Sequence, residues 1–180
     1  MNESTIVTRY AKALFELSKE RNILEDIKND VAKILNLCKN KELKNILQSP
    51  TIKSKKKIKV FVSLLTNYIV RKDSLAFINL LVKNNRENLL ADIARKFLHQ
   101  YKKEKNIKTI YIASVSPISK NTEKKIFNAL SENLDANIEI KKKIDKSLIG
   151  GLIIGLDNYQ YDLSVKNELF KIKNTLLKGG

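Results

Sequence analysis

Hydrophobic residues recur at helical spacing through residues 4–104 of the chain. Apolar side chains three and four positions apart, with charged residues between them, are the pattern of an amphipathic helix. The pattern is interrupted at Ser49-Pro50, where the residue before proline is disfavoured in a helix. Together with weaker breaks, this divides the region into predicted helices at about 4–19, 22–38, 41–48, 53–68, 73–84 and 86–104.

The predicted helix 4–19 is apolar over about 200° of its circumference, whereas an ordinary surface helix needs a stripe of only about 100°. Its apolar residues therefore form two edges. One edge can pack into a core, and the other needs a second neighbour. The first edge carries Val7, Ala11 and Phe15, the second carries Ile6, Tyr10, Ala13 and Leu17, and Leu14 lies between them.

The predicted helix 73–84, with Asp73-Ser74 as its expected N-terminal cap, repeats this excess over an arc of about 220°. Two surplus edges predict either a groove for a partner helix or two helices enclosed at the centre of a bundle. The helical wheels alone leave both alternatives open. One edge carries Leu75, Ile78 and Val82, and the other carries Phe77, Leu80 and Asn84.

The periodicity changes near residue 105, where β-branched and alternating segments replace the helical pattern. We predict strands at 108–114, 137–141, 150–156 and 159–161, a turn at Asp157-Asn158, and helices at 119–133 and from about 162 to 177, with Ser119 and either Asp162 or Ser164 as caps. All five glycines lie at or after position 150. The expected fold is an all-α N-terminal six-helix bundle, residues 1–105, followed by a small α/β C-terminal domain, residues 106–180.

The net charge of +16, from 35 basic and 19 acidic residues, raises RNA or DNA binding as an alternative function. Only five of the basic residues are arginine, the side chain best suited to gripping phosphate. The lysines are scattered over all segments, and the run Lys53–Lys57 fits a solvated helix end. This distribution favours a surface that tolerates lysine at many positions over a dedicated nucleic-acid-binding site.

Catalytic and ligand-binding motifs are absent from the sequence, which holds one histidine, His99, and one cysteine, Cys38. There is no phosphate-binding Gly-Lys-Ser/Thr loop, no Cys-x-x-Cys and no His-Glu-x-x-His. We therefore expect no metal, no cofactor and no enzymatic activity. The lone cysteine fits a reducing compartment, and the longest apolar run, 148–156, is too short to span a membrane. We expect a soluble or peripheral protein without a signal peptide.

Four stretches carry a resemblance to one family. Thr8–Phe15 resembles the N-terminal motif of the δ subunit of bacterial F-type ATP synthase, a family that includes the mitochondrial oligomycin-sensitivity-conferring subunit. Further similar stretches, in the family's order, are Phe77–Leu81 with Asn84-Asn85-Arg86, Ile144–Leu152, and Asp162–Val165 with Leu169. The sequence departs from the family at Leu163, where glycine is common, and at Asn167-Glu168, which replaces a Gly-Arg step.

The resemblance implies a non-catalytic stator subunit on the cytoplasmic side of the cell inner membrane, peripheral to it through the complex. It implies a monomer within a hetero-oligomer that binds no specific nucleic acid. The N-terminal domain is expected to hold the N-terminal helix of an α subunit between the first and fifth helices. The C-terminal domain is expected to meet the end of the b-subunit stalk. The expected groove residues are Tyr10, Ala13, Leu14, Leu17, Phe77, Leu80 and Asn84, and the expected structural turn and strand residues are Gly150, Gly151, Asp162 and Ser164.

Overall fold

The computed structural model describes residues 3–40, 45, 49, 63, 71–131, 136–156 and 159–178. The chain divides into two compact units, Met1–Lys103 and Glu104–Gly180. The predicted helices 41–48 and 53–68, with their Lys53–Lys57 run, lie almost entirely outside the described residues, as does the turn at Asp157-Asn158. A helical N-terminal region followed by an α/β C-terminal part agrees with the predicted fold class.

Four α-helices make up the described part of the N-terminal unit: α1 (Glu3–Glu20), α2 (Leu24–Leu37), α3 (Lys72–Lys83) and α4 (Leu90–Glu104). A 3₁₀ turn, Glu87–Leu89, precedes α4. Each helix contributes one apolar stripe to a shared core, in which Phe97 of α4 is fully buried. No helix among the described residues is both long and apolar enough to cross a bilayer.

Asparagine, rather than glycine, ends three of these helices. Asn22, Asn85 and Asn106 have φ angles of 54°, 55° and 49°, in the left-handed region that terminates a helix. After α1, the amide of Ile23 donates to the carbonyl of Ser18 at 2.9 Å, which satisfies a carbonyl that the helix itself leaves unpaired. Asparagine tolerates this conformation, so a glycine-free half of the chain can still turn sharply.

The start of α3 differs from the prediction. Arg71 occupies the N-cap position, and its side chain makes no capping hydrogen bond. Asp73 and Ser74 lie inside the first turn, so the predicted cap at Asp73-Ser74 is wrong. The physical reason is that α2 supplies the acceptor, because the hydroxyl of Ser74 donates to Asp30 at 2.8 Å.

A four-stranded sheet forms the C-terminal unit, with strand order β2-β1-β3-β4. Strands β1 and β2 are parallel and are joined through helix α5, while β3 is antiparallel to β1 and β4 is antiparallel to β3. Helix α6 follows β4 directly. The bounds are β1 Ile107–Ser114, α5 Lys120–Ser131, β2 Asn137–Ile144, β3 Gly151–Leu156, β4 Tyr159–Ser164 and α6 Val165–Lys178.

The core of this unit lies under the central strand β1. Ile110 and Ile112 are 0% and 1% exposed. They pair across the sheet with Leu156 and Ile154 of β3, so these four side chains share one face. The predicted cap Ser119 is present, since its hydroxyl oxygen accepts the amide hydrogen of Thr122 at 3.1 Å.

Candidate partner-binding surface

One edge of α1 is held in the core of the N-terminal unit. The rings of Phe15 and Phe97 meet edge to face, with centroids 5.9 Å apart. Ala11, Ile6 and Leu14 on the same helix are buried. Two assignments therefore need correction. Ile6 does not belong to the outer edge, and Leu14 faces the core, where it has no surface left for a partner.

The outer edges of α1 and α3 meet through an aromatic pair and a hydrogen bond. The rings of Tyr10 and Phe77 are 6.3 Å apart at an interplanar angle of 71°. The side-chain amide of Asn84 donates to the hydroxyl of Tyr10 at 3.3 Å and to the carbonyl of Leu80 at 2.9 Å. Three of the predicted groove residues are thereby brought together around one end of the junction.

The remaining groove residues are accessible. Ala13 is exposed and Leu17 is half-buried, and both lie on the same side of α1 as Tyr10. Leu80 of α3 is 47% exposed although it is a large apolar residue. We call this surface the α1–α3 edge, and it consists of Tyr10, Ala13, Leu17, Phe77, Leu80 and Asn84.

A buried carboxylate positions the α3 wall of this surface. Asp30 of α2 is 3% exposed, and its Oδ2 accepts both the backbone amide of Arg71 and the hydroxyl of Ser74, each at 2.8 Å. A negative charge at a helix N-terminus is also favoured by the helix dipole. Sequence reasoning missed Asp30, although its place in the apolar stripe between Ile27 and Ile34 was the available signal.

Ion pairs surround the same junction at the surface. Asp26 of α2 pairs with Arg71 at 2.7 Å, and Arg21, just after α1, pairs with Asp73. These pairs are largely exposed, so each contributes little to stability. They nevertheless connect the end of α1 and the start of α2 with the first turn of α3.

A partly buried polar contact holds α4 against α2. The Tyr101 hydroxyl donates to the carboxylate of Glu25, with oxygen distances of 2.7 and 2.9 Å. Burial, followed by the hydrogen bond and the negative charge of Glu25, raises the pKa of Tyr101 to about 12. The phenol therefore stays protonated and keeps donating at any physiological pH.

A concave surface of about 550 Å³ lies between the start of α1 and α4. Unlike the α1–α3 edge, it is lined by both acidic and basic side chains. Asp92 and Arg95 within it already pair with each other at 3.1 Å. Its lining residues are Glu3, Ser4, Val7, Leu89, Asp92, Arg95, Lys96 and His99.

The predicted glycine motif of the C-terminal unit is a site of close backbone approach. Gly151 has a φ of 73°, and a Cβ atom there would lie 2.2 Å from the carbonyl oxygen of Leu163. A Cβ on Gly150 would lie 2.8 Å from Cγ2 of Val165, and the Gly150 carbonyl accepts the Val165 amide at 3.1 Å. The two glycines let β3 begin directly against the β4–α6 junction.

The β4–α6 junction is closed by Asp162, Ser164 and Asn167. The carboxylate of Asp162 accepts the Ser164 amide at 2.9 Å, and the Ser164 hydroxyl accepts the Asn167 amide at 3.2 Å as the cap of α6. The Asn167 side chain donates to the Asp162 carbonyl at 3.2 Å. Leu163 lies in a regular strand without positive φ, so its backbone conformation does not require glycine.

Comparison with known proteins identifies the family. The family model for the ATP synthase delta (OSCP) subunit matches residues 6–176. The ATP synthase subunit delta of Rickettsia bellii is 31% identical over 98% of this chain and 94% of its own length. That of Cytophaga hutchinsonii is 30% identical over 97% and 95%.

A solved structure agrees with these sequence matches. A chain in the cryo-EM structure of the Toxoplasma gondii mitochondrial ATP synthase hexamer has a TM-score of 0.70 and 27% identity, covering 95% of this chain and 97% of that one. None of these matches is a nucleic-acid-binding protein, so they do not support that alternative. The chain therefore belongs to the ATP synthase delta (OSCP) subunit family, whose members are non-catalytic stator subunits of the complex.

Proposed function

We propose that the chain ties the catalytic head of an F-type ATP synthase to its peripheral stalk and so stops the head from turning with the rotor. In this proposal the N-terminal unit is a six-helix bundle. It holds the amphipathic N-terminal helix of an α subunit on the α1–α3 edge, and the C-terminal unit meets the end of the b subunit. The chain lies on the cytoplasmic side of the inner membrane.

The accessibility of the α1–α3 edge carries this proposal. Leu80 is 47% exposed beside the Tyr10–Phe77 ring pair. A helix-in-groove site needs such apolar side chains from two neighbouring walls. Exposed Ala13 adds a small side chain on the α1 wall, where the backbone of an incoming helix could approach closely.

Mechanical coupling then follows from geometry rather than from bond chemistry. A few apolar anchors at about 1.5–3 kcal/mol each must offset an association cost of about 4–15 kcal/mol. One groove alone can therefore be weak. Attachment at two places on one chain makes the second binding event intramolecular, which raises the effective strength of the link. Such an arrangement suits a subunit that must resist torque.

The experiment is a titration of the full chain with a synthetic peptide of the α-subunit N-terminal helix. Ala13→Trp should lower the affinity at least about tenfold, because the indole fills the space of the incoming helix. Leu80→Glu should do the same, because it places a charge within the apolar contact.

The matched control is Ala32→Trp, at an exposed alanine on α2 that is not one of the residues of the α1–α3 edge. It should leave the peptide affinity unchanged. Circular dichroism of all variants checks that the helices persist. Failure of the wild-type chain to bind the peptide would refute the groove, and so would equal effects of Ala13→Trp and Ala32→Trp.

A further inference from the structure

Helix α6 carries the largest group of exposed apolar side chains in the described part of the chain. Each of these residues is between 37% and 74% exposed, although none lies in a loop. Apart from Val165, whose Cγ2 lies against Gly150, the C-terminal unit therefore leaves most of the apolar surface of its own last helix uncovered. The residues are Val165, Leu169, Phe170, Ile172, Leu176 and Leu177.

Four of the six fall on one line along the helix. Val165, Leu169, Ile172 and Leu176 are spaced by four, three and four residues, within an arc of about 60°. This is the a/d spacing of a coiled coil, in which each side chain inserts between residues of a facing helix. We call these four residues the α6 seam. Phe170 and Leu177 lie about 120° away from its centre, on a different face.

The flanks of the α6 seam differ in charge. Lys166 and Lys173 stand seven residues apart on one side of it, and Glu168 and Thr175 stand on the other. In a coiled coil, residues at these positions form ion pairs that select the partner. A partner for this helix should therefore carry acidic residues along the side that faces the two lysines.

We propose that the α6 seam docks one amphipathic helix of another protein, with an apolar stripe at heptad spacing and acidic residues opposite Lys166 and Lys173. This inference rests on the proposed function, under which the end of the b subunit supplies that helix. It adds the surface, the packing mode and the charge pattern of the contact.

The charge of the chain favours such a partner over a second copy. Helix α6 contains four lysines and one glutamate, and the chain as a whole carries +16. Two copies would repel each other, whereas an acidic helix is attracted.

The test measures binding of the full chain to the soluble segment of the b subunit from the same ATP synthase. Ile172→Glu and Leu176→Glu should each weaken binding at least about tenfold. Phe170→Glu and Leu177→Glu are the matched controls, because they make the same change at neighbouring, equally exposed apolar residues of the same helix. They should change the affinity less than about threefold. Equal losses from both pairs would overturn the α6 seam.

Two designed heptad peptides test the charge pattern. A peptide with glutamate on both flanks should bind at least about tenfold more tightly than one with lysine there, and Lys166→Glu with Lys173→Glu should reverse the preference. No preference would overturn the acidic partner. Sedimentation of the chain alone tests whether a second copy binds at the α6 seam. Sedimentation with phosphatidylglycerol vesicles tests whether a membrane surface binds there. Self-association or vesicle binding that Ile172→Glu abolishes would also overturn it.

The outcomes separate this inference from the function beneath it. If the wild-type chain binds the b segment and the seam variants bind equally well, the seam is wrong and the stalk attachment stands. If the wild-type chain does not bind the b segment, both the α6 seam and the proposed stalk attachment are refuted. The α-subunit peptide titration remains an independent test of the other attachment.

Discussion

The side chains of Tyr10 and Asn84, 74 positions apart in sequence, are joined by a hydrogen bond of 3.3 Å from the Asn84 amide to the Tyr10 hydroxyl. The bond spans the two helices that carry the proposed groove. It acts together with the edge-to-face contact of Tyr10 with Phe77, so the same tyrosine is fixed by its ring and by its tip. This arrangement sets the distance between the two walls at one end.

Tyr10→Phe removes the hydrogen bond and keeps the ring pair, whereas Tyr10→Ala removes both. We expect the first change to lower the free energy of unfolding by less than about 1 kcal/mol, because the bond is exposed. The second should cost about 1–3 kcal/mol more, from lost apolar burial and the ring contact. Urea unfolding measures both. In a double-mutant cycle, Asn84→Ala should be coupled to Tyr10→Phe by the energy of the bond, and strictly additive effects would contradict the prediction.

Asp30→Ala should lower the free energy of unfolding by about 2–4 kcal/mol, because it leaves the Arg71 amide and the Ser74 hydroxyl without their acceptor. The matched control is Asp26→Ala, which removes an exposed ion pair on the same helix and should cost less than about 1 kcal/mol. Because Asp30 positions α3, the α-subunit peptide should also bind more weakly to the Asp30 variant below its melting range. Similar losses for the two variants would contradict the positioning role.

Gly151→Ala should destabilise the C-terminal unit by several kcal/mol, since the added methyl group meets the Leu163 carbonyl while φ is positive. The nearby Gly155→Ala is the control. Its added carbon would lie no closer than 3.8 Å to another atom, so it should cost less than about 1 kcal/mol. Limited proteolysis after residue 104 reports on this unit within the full chain, and equal protection of the two variants would contradict the prediction.

Acid should destabilise the C-terminal unit through Asp145 and Asp162. The pKa of each is lowered, first by the hydroxyl and then by the backbone amide of a serine two residues later, Ser147 and Ser164. A lowered pKa means that ionisation stabilises the fold above the unfolded value of about 3.9 and that this contribution is lost as pH falls through the folded value. Thermal unfolding between pH 3 and 7 should show the loss below about pH 4. This loss of stability should be smaller in the double variant that combines Asp145→Asn with Asp162→Asn. An unchanged pH profile in that variant would refute the assignment of the effect to these two carboxylates.

Cys38 should react slowly with alkylating reagents in the folded chain. Burial raises the pKa of its thiol to about 11, although the nearby Arg95 acts in the opposite direction. At pH 7.5 the thiolate fraction is then about 100-fold or more below that of an ordinary cysteine. The rate of iodoacetamide labelling measures this, with the urea-unfolded chain as the reference. A folded rate within tenfold of the unfolded rate would contradict the prediction.

Helical periodicity predicted the described helices to within a few residues, because each has a strong apolar stripe. It could not predict the start of α3, since the acceptor Asp30 lies 44 positions before Ser74 in sequence. A helical wheel also cannot decide whether a residue at the boundary between two apolar edges is buried in the core or exposed. The wheel puts Leu14 and Ile6 on or near the outer edge, whereas both are buried in the core cluster, because burial depends on tertiary packing that the wheel does not contain.

The α/β unit was predicted in outline, with less accurate ends. Strand β2 continues through Lys142 and Lys143, beyond the alternating segment, because parallel pairing with β1 holds the backbone extended. The heptad spacing of α6 was already present in the sequence. The exposure of its apolar side chains could not be predicted, since that exposure depends on how the helix is placed against the sheet.

The central position of β1 has a consequence for the order in which the protein forms during synthesis. This strand leaves the ribosome first, but both of its neighbours, β2 and β3, come later in the chain. Pairings over such separations form slowly compared with local helical contacts. A nascent or truncated chain that stops before residue 151 has no β3 to cover one side of β1, and an open strand edge invites aggregation. We therefore expect chains that end before β3 to aggregate more readily than the full chain.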